Sequence, residues 1–168
     1  MNNQQVNNKV DVQEIRTRKM MDKLIPYLFK NKLIDTNWTN TSDNVDYQFT
    51  AKTNNELLTY DVEVKELSYP IEFFKKLGYC GVKCEKKAFM EEYNQKSGND
   101  KLIYLMVATN AIIVYNFKDI DMNKCPLYLW EQKKTQYDDN SKVIKIPSFK
   151  LPLNQAKIIN INKQQFYD

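Results

Sequence analysis

The sequence predicts a single α/β domain with a central mixed β-sheet and helices on its faces. Two neighbouring runs, Val45-Asp46-Tyr47-Gln48-Phe49 and Tyr60-Asp61-Val62-Glu63-Val64-Lys65, alternate apolar and polar residues, the period of half-buried strands. A later run, Leu102-Ile103-Tyr104-Leu105-Met106-Val107-Ala108, is apolar throughout, as a strand covered on both faces must be. A helical stretch lies between them, the order of a strand–helix–strand crossover that leaves its two strands parallel.

Each element can be justified in turn. Residues 1–9 are polar and are expected to be unstructured, with no apolar segment of the kind a secretory signal needs. Asp11 and Glu14 have the spacing of a helix-capping pair. Met21, Leu24, Ile25, Leu28 and Phe29 then recur at helical spacing as a core-facing stripe, and Pro26 predicts a kink or a division there. Residues 35–44 are turn-rich, with Trp38 opening a short strand. Strands are expected over 46–51 and 57–67, joined by the polar turn Lys52-Thr53-Asn54-Asn55-Glu56. The segment Ser68-Tyr69-Pro70-Ile71-Glu72-Phe73-Phe74-Lys75-Lys76-Leu77-Gly78 is both aromatic and basic. It reads as a loop whose rings cover the sheet, with base stacking and phosphate contact as the alternative. A helix is expected over 82–96, with Val82, Phe89 and Tyr93 toward the sheet and Gly98 suited to a left-handed end. After the buried strand, 111–117 reads as a strand or a helix start. Further strands fall over 126–131 and 143–146, separated by a polar loop or lid over 132–141. Pro147 and Pro152 break the tail, and 154–161 forms a helix or a strand. The whole of 1–168 is expected to be one domain without repeats.

Composition excludes several kinds of chemistry. The chain contains no histidine, which removes histidine-based triads, histidine-ligated zinc and the histidine general base. Acid–base work must therefore use carboxylates, lysine, tyrosine or metal-bound water. Cys80, Cys84 and Cys125 are an odd set that suits a reducing cytoplasm. Cys80 and Cys84, one turn apart on a helix, could touch a metal, but buried thiols are the simpler reading. No apolar run is long enough to span a membrane. The net charge of +4 is compatible with a polyanionic partner, and since only Arg16 and Arg18 are arginine, contact would be mainly lysine to phosphate backbone.

The polar face of the 60–65 run is carboxylate, carboxylate, ammonium. With Asp46 on the preceding strand, Glu63 and Lys65 share one face of a hairpin if the register allows. Two carboxylates can hold Mg²⁺ while it keeps waters and takes substrate phosphate oxygens, and an adjacent lysine can orient the water or offset developing charge. A solvated hairpin face with cross-strand charge pairs is the plainer reading. An acid opening one strand and Glu-x-Lys near the end of the next resembles the PD-(D/E)xK nuclease superfamily, which includes restriction endonucleases and Holliday-junction resolvases. Val45 stands where that family often has proline. The resemblance implies a restriction-endonuclease-like fold and a Mg²⁺- or Mn²⁺-dependent nuclease, with Asp46, Glu63 and Lys65 catalytic. Asp46 and Glu63 would be metal ligands, Asp61 a further ligand, and Glu14 the glutamate of the family's first helix; Asp43 is an alternative first acid. It also implies a nucleic-acid partner, DNA before RNA, held by Lys75, Lys76, Lys83, Lys86 and Lys87. A homodimer is compatible with it, as is a cytoplasmic setting, the host's if the protein is phage-encoded. The alternatives are an inactive nucleic-acid- or protein-binding module on the same fold, or a structural interaction protein.

Overall fold

In the computed structural model, residues 3–39, 45–133 and 143–167 are described. Asp43 and most of the expected 132–141 loop lie outside them. The first helix, α1 (Asn3–Phe29), begins before the expected capping pair and runs unbroken past Pro26. Pro26 is exposed and only three residues from the helix end, so its missing N–H removes one bond from a turn that is already terminating, and no division follows. β1 (Leu33–Trp38) ends at Trp38 rather than starting there. It pairs antiparallel with β2 (Tyr47–Thr53), which forms a hairpin with β3 (Glu56–Glu66). Between Thr53 and Glu56 only Asn54 and Asn55 remain, at φ of 49° and 66°. Two successive left-handed residues make the hairpin turn whose twist matches the strands, and asparagine tolerates that conformation.

The crossover from β3 carries more structure than one helix. Residues expected as a loop form α2 (Ile71–Leu77). Pro70 suits the flank of a helix start, Ile71 and Phe74 bury one stripe, and Gly78 at φ 80° closes the helix with its N–H on the Phe74 carbonyl. The expected 82–96 helix is divided: β4 (Tyr79–Lys83) comes first, with Cys80 and Val82 alternating inward, and α3 (Cys84–Ser97) follows. Phe89, expected to face the sheet, is exposed, whereas Tyr93 packs on the core. Gly98 ends α3 at φ 70° as its position predicts. β5 (Lys101–Val107) then lies parallel to β3, with Tyr104 opposite Glu63 and Met106 opposite Lys65. β6 (Ala111–Asn116) returns antiparallel.

β7 (Leu127–Lys133) and β8 (Val143–Pro152) pair with β4 in a separate three-stranded sheet, order β4-β8-β7. Pro147, expected to break the chain, sits inside β8. β4 reaches only as far as Ser148, so at Pro147 the strand has β7 alone as neighbour, the edge-like position proline tolerates. β9 (Lys157–Asn160) completes the main sheet, ordered β1-β2-β3-β5-β6-β9, in which β3–β5 is the one parallel pair. The fold is thus a single α/β domain with a mixed sheet. One sheet face, through Tyr47, Phe49, Val62 and Leu105, packs on Met20, Met21, Leu24 and Ile25 of α1. The other, through Leu102, Tyr104, Met106 and Tyr115, packs under α2, α3 and the small sheet. No helix among the described residues is long and apolar enough to cross a membrane.

Candidate functional site

Asp46 lies just before β2, at its junction with β3. Its N–H donates to the Val62 carbonyl at 2.9 Å, and its Oδ2 accepts the Val64 N–H at 2.8 Å. Both contacts go to β3 backbone, so the carboxylate is held across the strand that carries Glu63. The two carboxyl groups adjoin closely enough to share a hydrogen bond. The Glu63 side chain is only 13% exposed. Burial first, and then the Asp46 charge, push it from its ordinary range up to about 7; Lys86, whose Nζ is 2.8 Å from Glu63 Oε1, pulls the other way without winning. The second oxygen, Glu63 Oε2, is buried and accepts no hydrogen bond from any described donor.

Glu63 faces a cleft of ≈600 Å³ between the main sheet and the small one. Lys65, two residues along the same strand face, lines it too and has no ion pair with any described residue. Lys83 and Lys86, from the end of β4 and the first turn of α3, line the same cleft. The rest of its wall is largely apolar and aromatic, with Tyr104 and Met106 from the main sheet and Tyr128 and Trp130 from β7.

The other predicted residues go elsewhere. Asp61 is fully buried. Its Oδ1 accepts from Gln48 and Asn99 and its Oδ2 from Asn94 and Ser97, at 2.5–2.7 Å. Both oxygens are saturated, and the carboxylate ties the hairpin to the end of α3. Glu14 lies on α1, the helix that backs the opposite sheet face, and pairs with Arg18 at 2.8 Å, so it is not brought to Glu63. Lys75 and Lys76 are exposed on the last turn of α2, outside the cleft lining. Lys87 is 8% exposed, ion-paired with Glu91 and set over the Phe117 and Phe149 rings, outside the cleft lining. Cys80 and Cys84 do not share a helix turn, because Cys80 is in β4. Burial pushes the Cys80 thiol up to about 11, which keeps it unreactive. Among the described residues, no group of three or more acidic or thiol side chains gathers at metal-holding distance.

Sequence reasoning missed the Lys86–Glu63 pair and the aromatic wall. Lys86 was legible only as one lysine of a basic helix. Tyr128 and Trp130 share a parity in β7, but nothing in the sequence says which face of that strand looks at Glu63. No family model, curated protein or solved structure matches the chain.

Proposed function

We propose that the chain is a metal-dependent nuclease that hydrolyses nucleic-acid phosphodiester bonds, DNA in preference to RNA, on a restriction-endonuclease-like fold. The observation that carries this reading is Glu63: a buried carboxylate pressed against Asp46, with one oxygen that meets no donor among the described residues. Such an oxygen is costly, and a divalent cation between the two carboxylates would relieve both their repulsion and the missing contact. Asp46 and Glu63 would hold Mg²⁺ or Mn²⁺, a hard ion that is satisfied by one or two carboxylates plus waters and phosphate oxygens. When bound, the ion would polarise the phosphoryl group and make an attacking water more acidic. Lys65 has an ammonium free to orient that water and to offset negative charge on the reacting phosphate. Lys83 and Lys86 would hold phosphates as point charges. A homodimer would present two such sites, in a cytoplasmic setting.

The Lys86–Glu63 ion pair favours a second reading, in which the lysine takes the cation's place for good and the chain binds nucleic acid without cutting it. One experiment separates the two. Plasmid, single-stranded DNA, branched DNA and RNA are each incubated with Mg²⁺, Mn²⁺ or chelator, alongside melts of the free protein. The nuclease reading expects metal-dependent cleavage of at least one substrate and a higher Tm with metal. Binding without cleavage, and a Tm indifferent to metal, would leave the binding module.

A further inference from the structure

The cleft in front of Glu63 has a lining unlike that of a groove for a duplex backbone. Tyr69 and Phe73 stack on each other with centroids 4.4 Å apart at 18°, yet remain 55% and 40% exposed. Trp130 is 39% exposed on the same lining. Tyr128 lies against Gly81, where a built Cβ would fall 2.5 Å from its hydroxyl, so only glycine leaves that ring its place in the wall. Exposed aromatic rings gathered at one opening mark a binding surface. Among the described residues the charged lining is Lys65, Lys83 and Lys86 against the carboxylate Glu63, which favours an occupant with negative charge. Its ≈600 Å³ falls within the roughly 300–1,000 Å³ of small-ligand sites. A nucleotide offers both a flat apolar face and an anionic group. Within a duplex the base faces are hidden in the stack, and only an unpaired or extruded base presents one.

We infer that this cleft takes an unpaired nucleotide, its base stacked against Trp130 and its phosphates at Lys65, Lys83 and Lys86. The substrate class is then single-stranded nucleic acid, or the unpaired segment of a branched one. The inference deepens the proposed function, resting on it for the chemistry but not for the binding.

The test uses the full chain in Ca²⁺ or chelator, where cutting does not run, with oligothymidylate and a blunt duplex of equal phosphate number as probes. Single strand is expected to quench tryptophan fluorescence and the duplex to leave it unchanged. Trp130→Phe should abolish the quench, because Trp38 is on the α1 side, with its Nε1 on Asp22. Trp130→Ala should weaken single-strand binding about five- to 150-fold and leave duplex binding unchanged. Gly81→Ala, which pushes on Tyr128, provides a second variant with the same expected selectivity. Equal binding and equal quenching by the two probes, no binding of the single strand, or a quench that survives Trp130→Phe would each overturn the inference. Cleavage of the same probes in Mg²⁺ is scored separately. Selective binding without cleavage removes the nuclease reading and leaves this one standing; cleavage of duplex with no Trp130 response does the reverse.

Discussion

Replacing Glu63 by Gln should make the protein more stable at alkaline pH and leave it nearly unchanged at acid pH. Burial and Asp46 raise the Glu63 carboxyl from 4.5 to about 7 in the folded chain. Below the unfolded value both states carry the proton and nothing separates them. As pH rises from there, the unfolded chain releases its proton and the folded chain holds on, so stability falls through this window. Above about 7 both states are ionised, and the folded one bears the full penalty of a buried charge, up to about 3 kcal/mol at 1.36 kcal/mol per tenfold. Glutamine keeps the shape and can still accept from Lys86, but it has no charge to bury. The variant should therefore exceed the parent by about 2–3 kcal/mol near pH 8, or roughly 5–10 °C in Tm for a chain of this size. The two should nearly coincide near pH 4.5. Other carboxylates titrate in the same range, so the readout is the difference between the two proteins, by thermal or urea denaturation in chelator. Parallel curves across that range, or a variant less stable than the parent at alkaline pH, would refute the placement of a strained carboxylate at Glu63.

Three further outcomes are expected. Glu63→Gln and Lys65→Met should each lower single-turnover cleavage by about 10²–10³ while binding in Ca²⁺ changes far less; wild-type-like cleavage by both would remove these residues from the mechanism. Asp61→Ala leaves Gln48, Asn94, Ser97 and Asn99 without their acceptor and should cost about 3–5 kcal/mol by denaturant titration. If Asp61 were a metal ligand instead, the stability in chelator would hold and the metal-induced rise in Tm would be lost. Nucleic-acid affinity should fall steeply with salt, and Lys83→Met should flatten that slope by about one contact. Lys87→Met should leave the slope alone and lower stability, which an ionic-strength series of binding titrations on both variants can distinguish.

The main sheet was legible because its rules are local. Alternation in 47–49 and 60–65 set the faces of β2 and β3, although Val45, expected beside Tyr47 and Phe49, packs in the core on the other sheet face; two asparagines set the turn, and the apolar run at 102–108 announced a strand buried on both sides. Asp46 beside Glu63 followed from that same parity. What escaped was decided by distant packing. α2 read as a loop because its Ile71–Phe74 stripe is short and is stabilised only by the core beneath it. β4 was not legible, its Val82 and Lys83 reading as the start of the helix behind them, because the five residues Tyr79–Lys83 carry too little pattern and the partner β8 lies far along the chain. Asp61 and Glu63 share a parity, so sequence could not separate them. Their surroundings do: Asp61 sits where α3 ends and finds four donors, while Glu63 sits where α3 begins and finds one lysine. Lys87 differs from Lys86 by one step around α3, which turns it from the cleft into the Phe117 and Phe149 rings.

The layering of the two sheets has a consequence for the order in which the molecule assembles. Within the main sheet, β1–β2, β2–β3 and β5–β6 are all closed by short connections. β4, in contrast, waits for β8, with Cys80 opposite Leu151 across some 70 residues of chain. Pairings of such separation carry the larger loop-closure cost and tend to be made late. The carboxylates sit by the β2–β3 hairpin, and Tyr128 and Trp130 on the β7–β8 hairpin, whose joining to β4 is the late step. Regions that assemble on separate terms also open on separate terms. In native-state hydrogen exchange, amides of β7 and the distal half of β8 should therefore exchange ahead of those of β3 and β5. The wall of the cleft could then part and reclose while Asp46 and Glu63 stay fixed on their own.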